Sequence, residues 1–124
     1  MDNFVKDIWY FAGLLSDIQD GGTRAFSLAG EPIVLARESD NIFALRDICP
    51  HRAVPLSAGC VKSGTVECPY HGWRFGLEDG LCKEIPALPQ DSDMEVERIG
   101  VRTYPIRQAG PLIWIYLRSD PKDI

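Results

Sequence analysis

Cys49-Pro50-His51-Arg52 and Cys68-Pro69-Tyr70-His71-Gly72-Trp73 are the two halves of the stretch that decides how this chain reads. Residues 53–67 separate them, and together they use both histidines of the chain and two of its four cysteines. Two thiolates and two imidazoles make a complete set of metal ligands. A single zinc ion takes such a mixed set tetrahedrally. A two-iron, two-sulfide cluster takes the cysteines on one iron and the histidines on the other. Mixed zinc sites usually present a cysteine pair followed by a histidine pair, whereas each short loop here carries one residue of each type. The pairing favours two irons.

Working outward, Pro50 and Pro69 follow the two cysteines, so both loops start with a fixed backbone angle and one amide donor fewer. The segment from Asp47 to Gly76 is expected to hold the two loops around a short strand near Thr65 to Glu67. Upstream, Arg24 to Leu28, Pro32 to Arg37 and Ile42 to Arg46 read as an antiparallel meander, separated by Ala29-Gly30 and Glu38-Ser39-Asp40-Asn41. Ile33-Val34-Leu35 and Ile42-Phe43-Ala44-Leu45 are unbroken apolar runs, which predicts cover on both faces. Ile8 to Ala12, aromatic and branched, reads as the first strand, ended by Gly13. Its aromatics are expected in the core, with an aromatic docking patch as the alternative. Ser16-Asp17 suits the cap of a single helical turn before Gly21-Gly22.

Downstream, Asp79-Gly80 is a hairpin signal between Arg74-Phe75-Gly76 and Leu81 to Ile85. Pro86 to Asp93 reads as a surface crossover. Val101 to Arg107 and Leu112 to Leu117 close the sheets through the turn Gln108 to Pro111, and Pro105, lacking an amide donor, belongs on an edge or with its amide position outward. Residues 1–124 are thus expected to form one all-β domain, with a loop-built metal site over about 47–76.

At this length a chain buries roughly 65 to 70% of the surface it exposes when unfolded, enough for a core without staples. Thirteen basic against eighteen acidic residues give a net charge of −5, which argues against nucleic acid or an anionic membrane as the main partner. The first residues, Met1 to Lys6, contain no basic segment leading into an apolar stretch and cleavage site. The longest apolar run, Ile8 to Leu15, is far short of the about twenty residues of a membrane span. A soluble, unprocessed chain is the expectation.

Cys49-x-His51 followed by Cys68-x-x-His71-Gly72 resembles the signature of Rieske iron–sulfur proteins. The wider run adds Arg52, Pro55-Leu56-Ser57-x-Gly59, Trp73-x-Phe75, Gly80 and Ile85-Pro86, and resembles the amino-terminal domain of Rieske non-haem iron oxygenases of the ring-hydroxylating or aryl O-demethylase type. The resemblance extends from Trp9-Tyr10 to Trp114-Ile115-Tyr116-Leu117. It implies a Rieske-type antiparallel β-sandwich of three sheets, with Cys49 and Cys68 on one iron and His51 and His71 on the other.

It also implies roles for the neighbours. Trp73 is expected as a packing lid over the loops, and Gly72 as the point where the loop approaches the cluster. Trp73 stands where high-potential members carry a serine that donates to the cluster, so a potential near the roughly −150 mV lower limit of Rieske centres is implied. Arg52 and Arg74 read as loop clamps, docking charges for an acidic partner, or plain solvated charge. In members that brace the cluster with a disulfide, cysteines occupy the positions of Val54 and Tyr70, so no brace is expected, which fits a reducing cytoplasm. Cys60 and Cys82 are expected as small buried residues. Gly59, Gly64 and Gly72 are expected to serve backbone angles.

The first functional reading is electron transfer from a reductase or ferredoxin to the mononuclear iron site of an oxygenase. No histidine follows His71, so this chain carries no second iron site and no catalytic residue, and Ile124 falls where a catalytic domain is expected to begin. The alternatives are a free-standing Rieske ferredoxin shuttling electrons from a reductase to an oxygenase, and a zinc-stapled or cluster-free interaction module.

Overall fold

The computed structural model describes residues 7–49, 55–69, 72–84 and 99–117, and these build three antiparallel sheets. The middle sheet carries the meander: β2 (Thr23–Leu28), β3 (Glu31–Glu38) and β4 (Asn41–Arg46), with β9 (Thr103–Tyr104) on the β4 edge. In β3 the four residues Ile33 to Ala36 are all buried, and their alternation decides the architecture. Val34 and Ala36 belong to one apolar cluster with Leu45, Val66 and Phe75. Ile33 and Leu35 belong to another with Ile42, Ala44, Ile113 and Ile115. The middle sheet is therefore covered on both faces, as the apolar runs predict.

On one face lies a small sheet of β5 (Cys60–Lys62), β6 (Thr65–Glu67), β7 (Arg74–Gly76) and β8 (Cys82–Glu84) in sequential order. On the other lies the sheet β1 (Ile8–Leu14), β11 (Leu112–Leu117), β10 (Ile106–Ala109). The chain changes sheets at Pro105. What reads as one strand from Val101 to Arg107 is two, β9 paired to β4 and β10 paired to β11. Pro105, which lacks the amide a ladder needs, occupies the crossing, and its carbonyl still accepts from the Tyr116 amide at 3.0 Å. Both pieces are edge strands, as the proline requires.

The first strand differs from expectation in two respects. It does not stop at Gly13 but continues to Leu14 through a bulge between Phe11 and Gly13. Two of its three aromatics are not core residues: Phe11 is 54% exposed and Trp9 38%, while Tyr10 packs on the core as expected. The cause is geometric. This outer sheet has one buried face, which Tyr10, Ala12, Ile113, Ile115 and Leu117 fill, so the alternating residues must point outward. There they pair across strands, Trp9 with Tyr116 at 5.3 Å and Phe11 with Trp114 at 5.5 Å between ring centroids. The Arg107 guanidinium lies 5.6 Å over the Trp9 ring.

After β1 a single 3-10 turn spans Leu15–Asp17. Asp17, expected near its start, reaches back to accept from the Leu14 amide at 3.0 Å and from Arg24 at 2.9 Å. The expected crossover at Pro86 to Asp93, and Ile85, lie outside the described residues.

Gly59 is a glycine that close approach decides. Its φ of −90° suits any residue, so it does not serve a backbone angle as expected. A Cβ there would sit 1.7 Å from the carbonyl oxygen of Glu67 in the neighbouring strand. Gly30, by contrast, has φ +78° and open space around it. Gly59→Ala is predicted to cost about 3 kcal/mol or more by overpacking against an immovable carbonyl, and Gly30→Ala about 1 kcal/mol from the left-handed backbone alone. Urea denaturation of the two variants beside the parent checks the ranking.

Candidate metal centre

The second ligand loop is the tip of a hairpin. β6 and β7 pair in the register Thr65 with Gly76, Val66 with Phe75 and Glu67 with Arg74, which leaves residues 68–73 as the connection. The Cys68 amide donates to the Trp73 carbonyl at 2.7 Å and closes its neck. Gly72 has φ +70°, the left-handed angle expected of it, which turns the chain back into β7. Gly64 has the same role, with φ +77°, in the turn from β5 to β6. Cys68 is 1% exposed, and Trp73 is buried in the same apolar cluster.

The first loop leaves the middle sheet after β4. Arg46 and Asp47 donate their amides to the carbonyls of Arg102 and Pro32, at 2.8 and 2.9 Å. Cys49 then enters the same cluster as Cys68 with no exposed surface. The chain returns at Pro55 into a 3-10 turn, Leu56–Ala58, whose Leu56 side chain is fully buried in that cluster. The neck of this loop is held by a side chain. Asp47, the one buried charged residue among those described, accepts from the Ser57 amide and from the Ser57 hydroxyl, each at 2.7 Å. Thr23 in turn donates its hydroxyl to the Ser57 carbonyl at 2.8 Å.

Of the expected ligands, Cys49 and Cys68 are therefore brought into one buried cluster, from loops on two different sheets. His51, His71, Arg52 and Tyr70 lie outside the described residues. Two buried thiols, neither in a disulfide, are the right donors for the sulfur half of a mixed set. Asp47 and Ser57 were not singled out as site residues by sequence reasoning. Their signal is faint: an aspartate just before the first ligand cysteine and a serine just after the loop.

The remaining cysteines differ from each other. Cys82 is 3% exposed and packs in the same cluster, as expected. Cys60 is exposed, contrary to expectation, because it lies on β5 at the edge of its sheet with the side chain turned away from Val66. Its thiol donates to Glu67 across the strands at 3.4 Å. That hydrogen bond, followed by partial desolvation and the Glu67 charge, raises the Cys60 pKa, against smaller opposing effects of Lys62 and Arg74.

An all-β scaffold that buries one thiol from each of two loops, each loop also carrying a histidine in sequence, defines the class of cysteine–histidine iron–sulfur domains. The chain matches the Rieske [2Fe-2S] domain family over residues 8–105 and belongs to it. Its cofactor is accordingly a Rieske-type two-iron, two-sulfide cluster, and the zinc alternative falls away.

The chain is 34% identical over 114 residues to the terminal oxygenase component of carbazole 1,9a-dioxygenase from Sphingomonas sp, covering 90% of this chain and 30% of that protein. It is 34% identical over 114 residues to the oxygenase component of dicamba O-demethylase from Stenotrophomonas maltophilia, covering 91% and 32%. Among solved structures, the terminal oxygenase of carbazole 1,9a-dioxygenase from Nocardioides aromaticivorans superimposes with a TM-score of 0.82 at 30% identity, over 93% of this chain and 31% of that one. The reduced complex of oxygenase and ferredoxin in carbazole 1,9a-dioxygenase gives a TM-score of 0.81 at 30% identity, over 93% and 30%. The chain thus spans about three tenths of the length of the relatives it matches. It is homologous to the electron-transfer domain of Rieske non-haem iron oxygenases. No helix among the described residues is long and apolar enough to cross a membrane.

The Cys60–Glu67 pair makes a prediction of sign. A carboxylate that accepts from a thiol favours the protonated form, so Glu67→Gln lowers the Cys60 pKa and increases its thiolate fraction at pH 8. In the cluster-loaded protein, alkylation of Cys60 by iodoacetamide is expected to be several-fold faster in that variant than in the parent, read by peptide mass spectrometry. An equal or slower rate counts against the assignment.

Proposed function

We propose that residues 1–124 form one Rieske domain in which Cys49, His51, Cys68 and His71 hold the cluster. Its function is to accept single electrons from a reductase or ferredoxin and deliver them to the mononuclear iron of an oxygenase domain, in a reducing cytoplasm. The observation that carries this reading is the burial of Cys49 and Cys68 in one apolar cluster from the two halves of the ligand motif. When bound, the cluster supplies a one-electron couple within the range of roughly −150 to +300 mV.

The chain's own residues do the rest. Cys49 and Cys68 supply thiolates from a buried apolar cluster, to which Trp73 and Leu56 also belong. His51 and His71 are the remaining donors, and their neutral imidazoles complete the set without adding charge. No residue of this chain is assigned to catalysis, so oxygenation requires another domain. The relatives named above are oxygenase components, which favours this reading over a free-standing ferredoxin. One of the matched structures is an oxygenase–ferredoxin complex, which supports a ferredoxin as electron donor.

The test is electron paramagnetic resonance of the dithionite-reduced protein, with iron and acid-labile sulfide assayed on the same sample. A rhombic signal whose average g lies below that of all-cysteine clusters, with two irons and two sulfides per chain, is expected. Replacing His51 or His71 by cysteine is expected to lower the potential by roughly 200 mV or more, toward the roughly −400 mV of all-thiolate centres. A colourless, silent protein after reconstitution refutes the proposal.

A further inference from the structure

The two ligand loops are closed by different means. The second is the end of a hairpin, and its neck is a backbone hydrogen bond, Cys68 to Trp73, backed by the ladder of β6 and β7. The first joins a strand of the middle sheet to a 3-10 turn that leads into another sheet, and no ladder joins its ends among the described residues. Among the described residues, both hydrogen bonds joining its ends are made by the Asp47 carboxylate, to the Ser57 amide and hydroxyl. The ends are also tied to the sheet below, through the Asp47 amide to Pro32 and through Thr23 to the Ser57 carbonyl. A buried carboxylate is costly unless its oxygens are occupied, and here each oxygen accepts one bond from a single residue ten positions along the chain.

We infer that Asp47 and Ser57 are positioning residues for the iron–sulfur cluster: a side-chain clasp that holds the first ligand loop shut, as the strand ladder holds the second. The inference rests on the cluster reading above. Cys49 lies two residues inside the clasp and His51 four, so the clasp fixes the loop that supplies one ligand to each iron. Asp47 and Ser57 touch neither iron nor substrate; they act through the backbone that carries those ligands. Loss of the clasp is therefore expected to expose the cluster to water and to chelators.

The experiment compares the parent with Asp47→Ala, Asp47→Asn and Ser57→Ala, all reconstituted with iron and sulfide. Cluster loss is followed by the decay of visible absorbance in excess iron chelator, and the reduced signal by electron paramagnetic resonance. Ser57→Ala and Asp47→Ala are expected to lose the cluster roughly tenfold faster or more, the equivalent of one hydrogen bond to a charged group, and to shift the principal g values. Asp47→Asn, which keeps an acceptor oxygen, is expected to fall between them and the parent.

Tyr104→Phe is the control for mere destabilisation. It removes the hydrogen bond from the buried Tyr104 hydroxyl to Glu31 at 2.9 Å, in the cluster of residues on the far side of the middle sheet. It is expected to lower the unfolding midpoint while leaving chelator kinetics and g values at the parent's. If Asp47→Ala does not fold, Ser57→Ala decides the matter, since it removes a single hydroxyl. Parent-like cluster loss and g values in Ser57→Ala overturn the inference, as does equal acceleration in Tyr104→Phe. A parent chain that takes up no two-iron cluster overturns the functional reading and this inference together, whereas a loaded parent with unaltered variants overturns this inference alone.

Discussion

The burial of two thiols from two separate loops in one apolar cluster is the constraint on which the rest of the structure depends. A loop placed against a core must satisfy its own backbone polar groups, because water no longer does so. The hairpin tip from Cys68 to Trp73 meets that demand by extending the ladder by one more bond. The two ends of the loop after β4 do not pair with each other as strands among the described residues, and a carboxylate takes over the closing contacts. The same residues that could have been a simple turn are thereby converted into a platform for ligands.

The middle sheet makes this platform stiff. Because β3 and β4 present alternate residues to both neighbours, Val34, Ala36 and Leu45 support the ligand side while Ile33, Leu35 and Ala44 are held by the opposite sheet. A shift of β3 by one residue would exchange the two sets, so its register is specified from both sides at once. The Arg46 and Asp47 amides continue that register straight into the first loop, through Arg102 and Pro32. The ligand loop is consequently an extension of a strand whose position two hydrophobic clusters fix.

How much of this was legible in the sequence depends on the range of the interaction. The meander and the Asp79-Gly80 hairpin rest on local signals and appear where expected, and the two cysteines of the ligand motif are both buried in one cluster. β5 was missed because Cys60-Val61-Lys62 is too short and too polar to read as a strand, and it exists through pairing with β6. The aromatics of β1 were placed in the core because composition says how much apolar area a strand carries, not which face a neighbouring sheet covers. Gly59 was read as serving a backbone angle, whereas its necessity comes from a carbonyl in another strand. The Asp47–Ser57 clasp, ten residues apart with no regular element between them, had no period to reveal it.

The surroundings of Cys49 and Cys68 also bear on why a mixed ligand set suits this fold. Val34, Leu56, Val66, Phe75 and Trp73 offer little to solvate a charge. Two ferric ions, two sulfides and two thiolates sum to zero, so an oxidised Rieske centre enters such a site without net charge and acquires one negative charge on reduction. Four thiolates would carry two negative charges before any electron arrived, and burial in the same surroundings would oppose each of them. A cluster neutral at rest is thus compatible with the apolar side chains that surround the two thiols. Asp47, two residues before Cys49, has both oxygens engaged by Ser57, so its charge is spent on the loop neck.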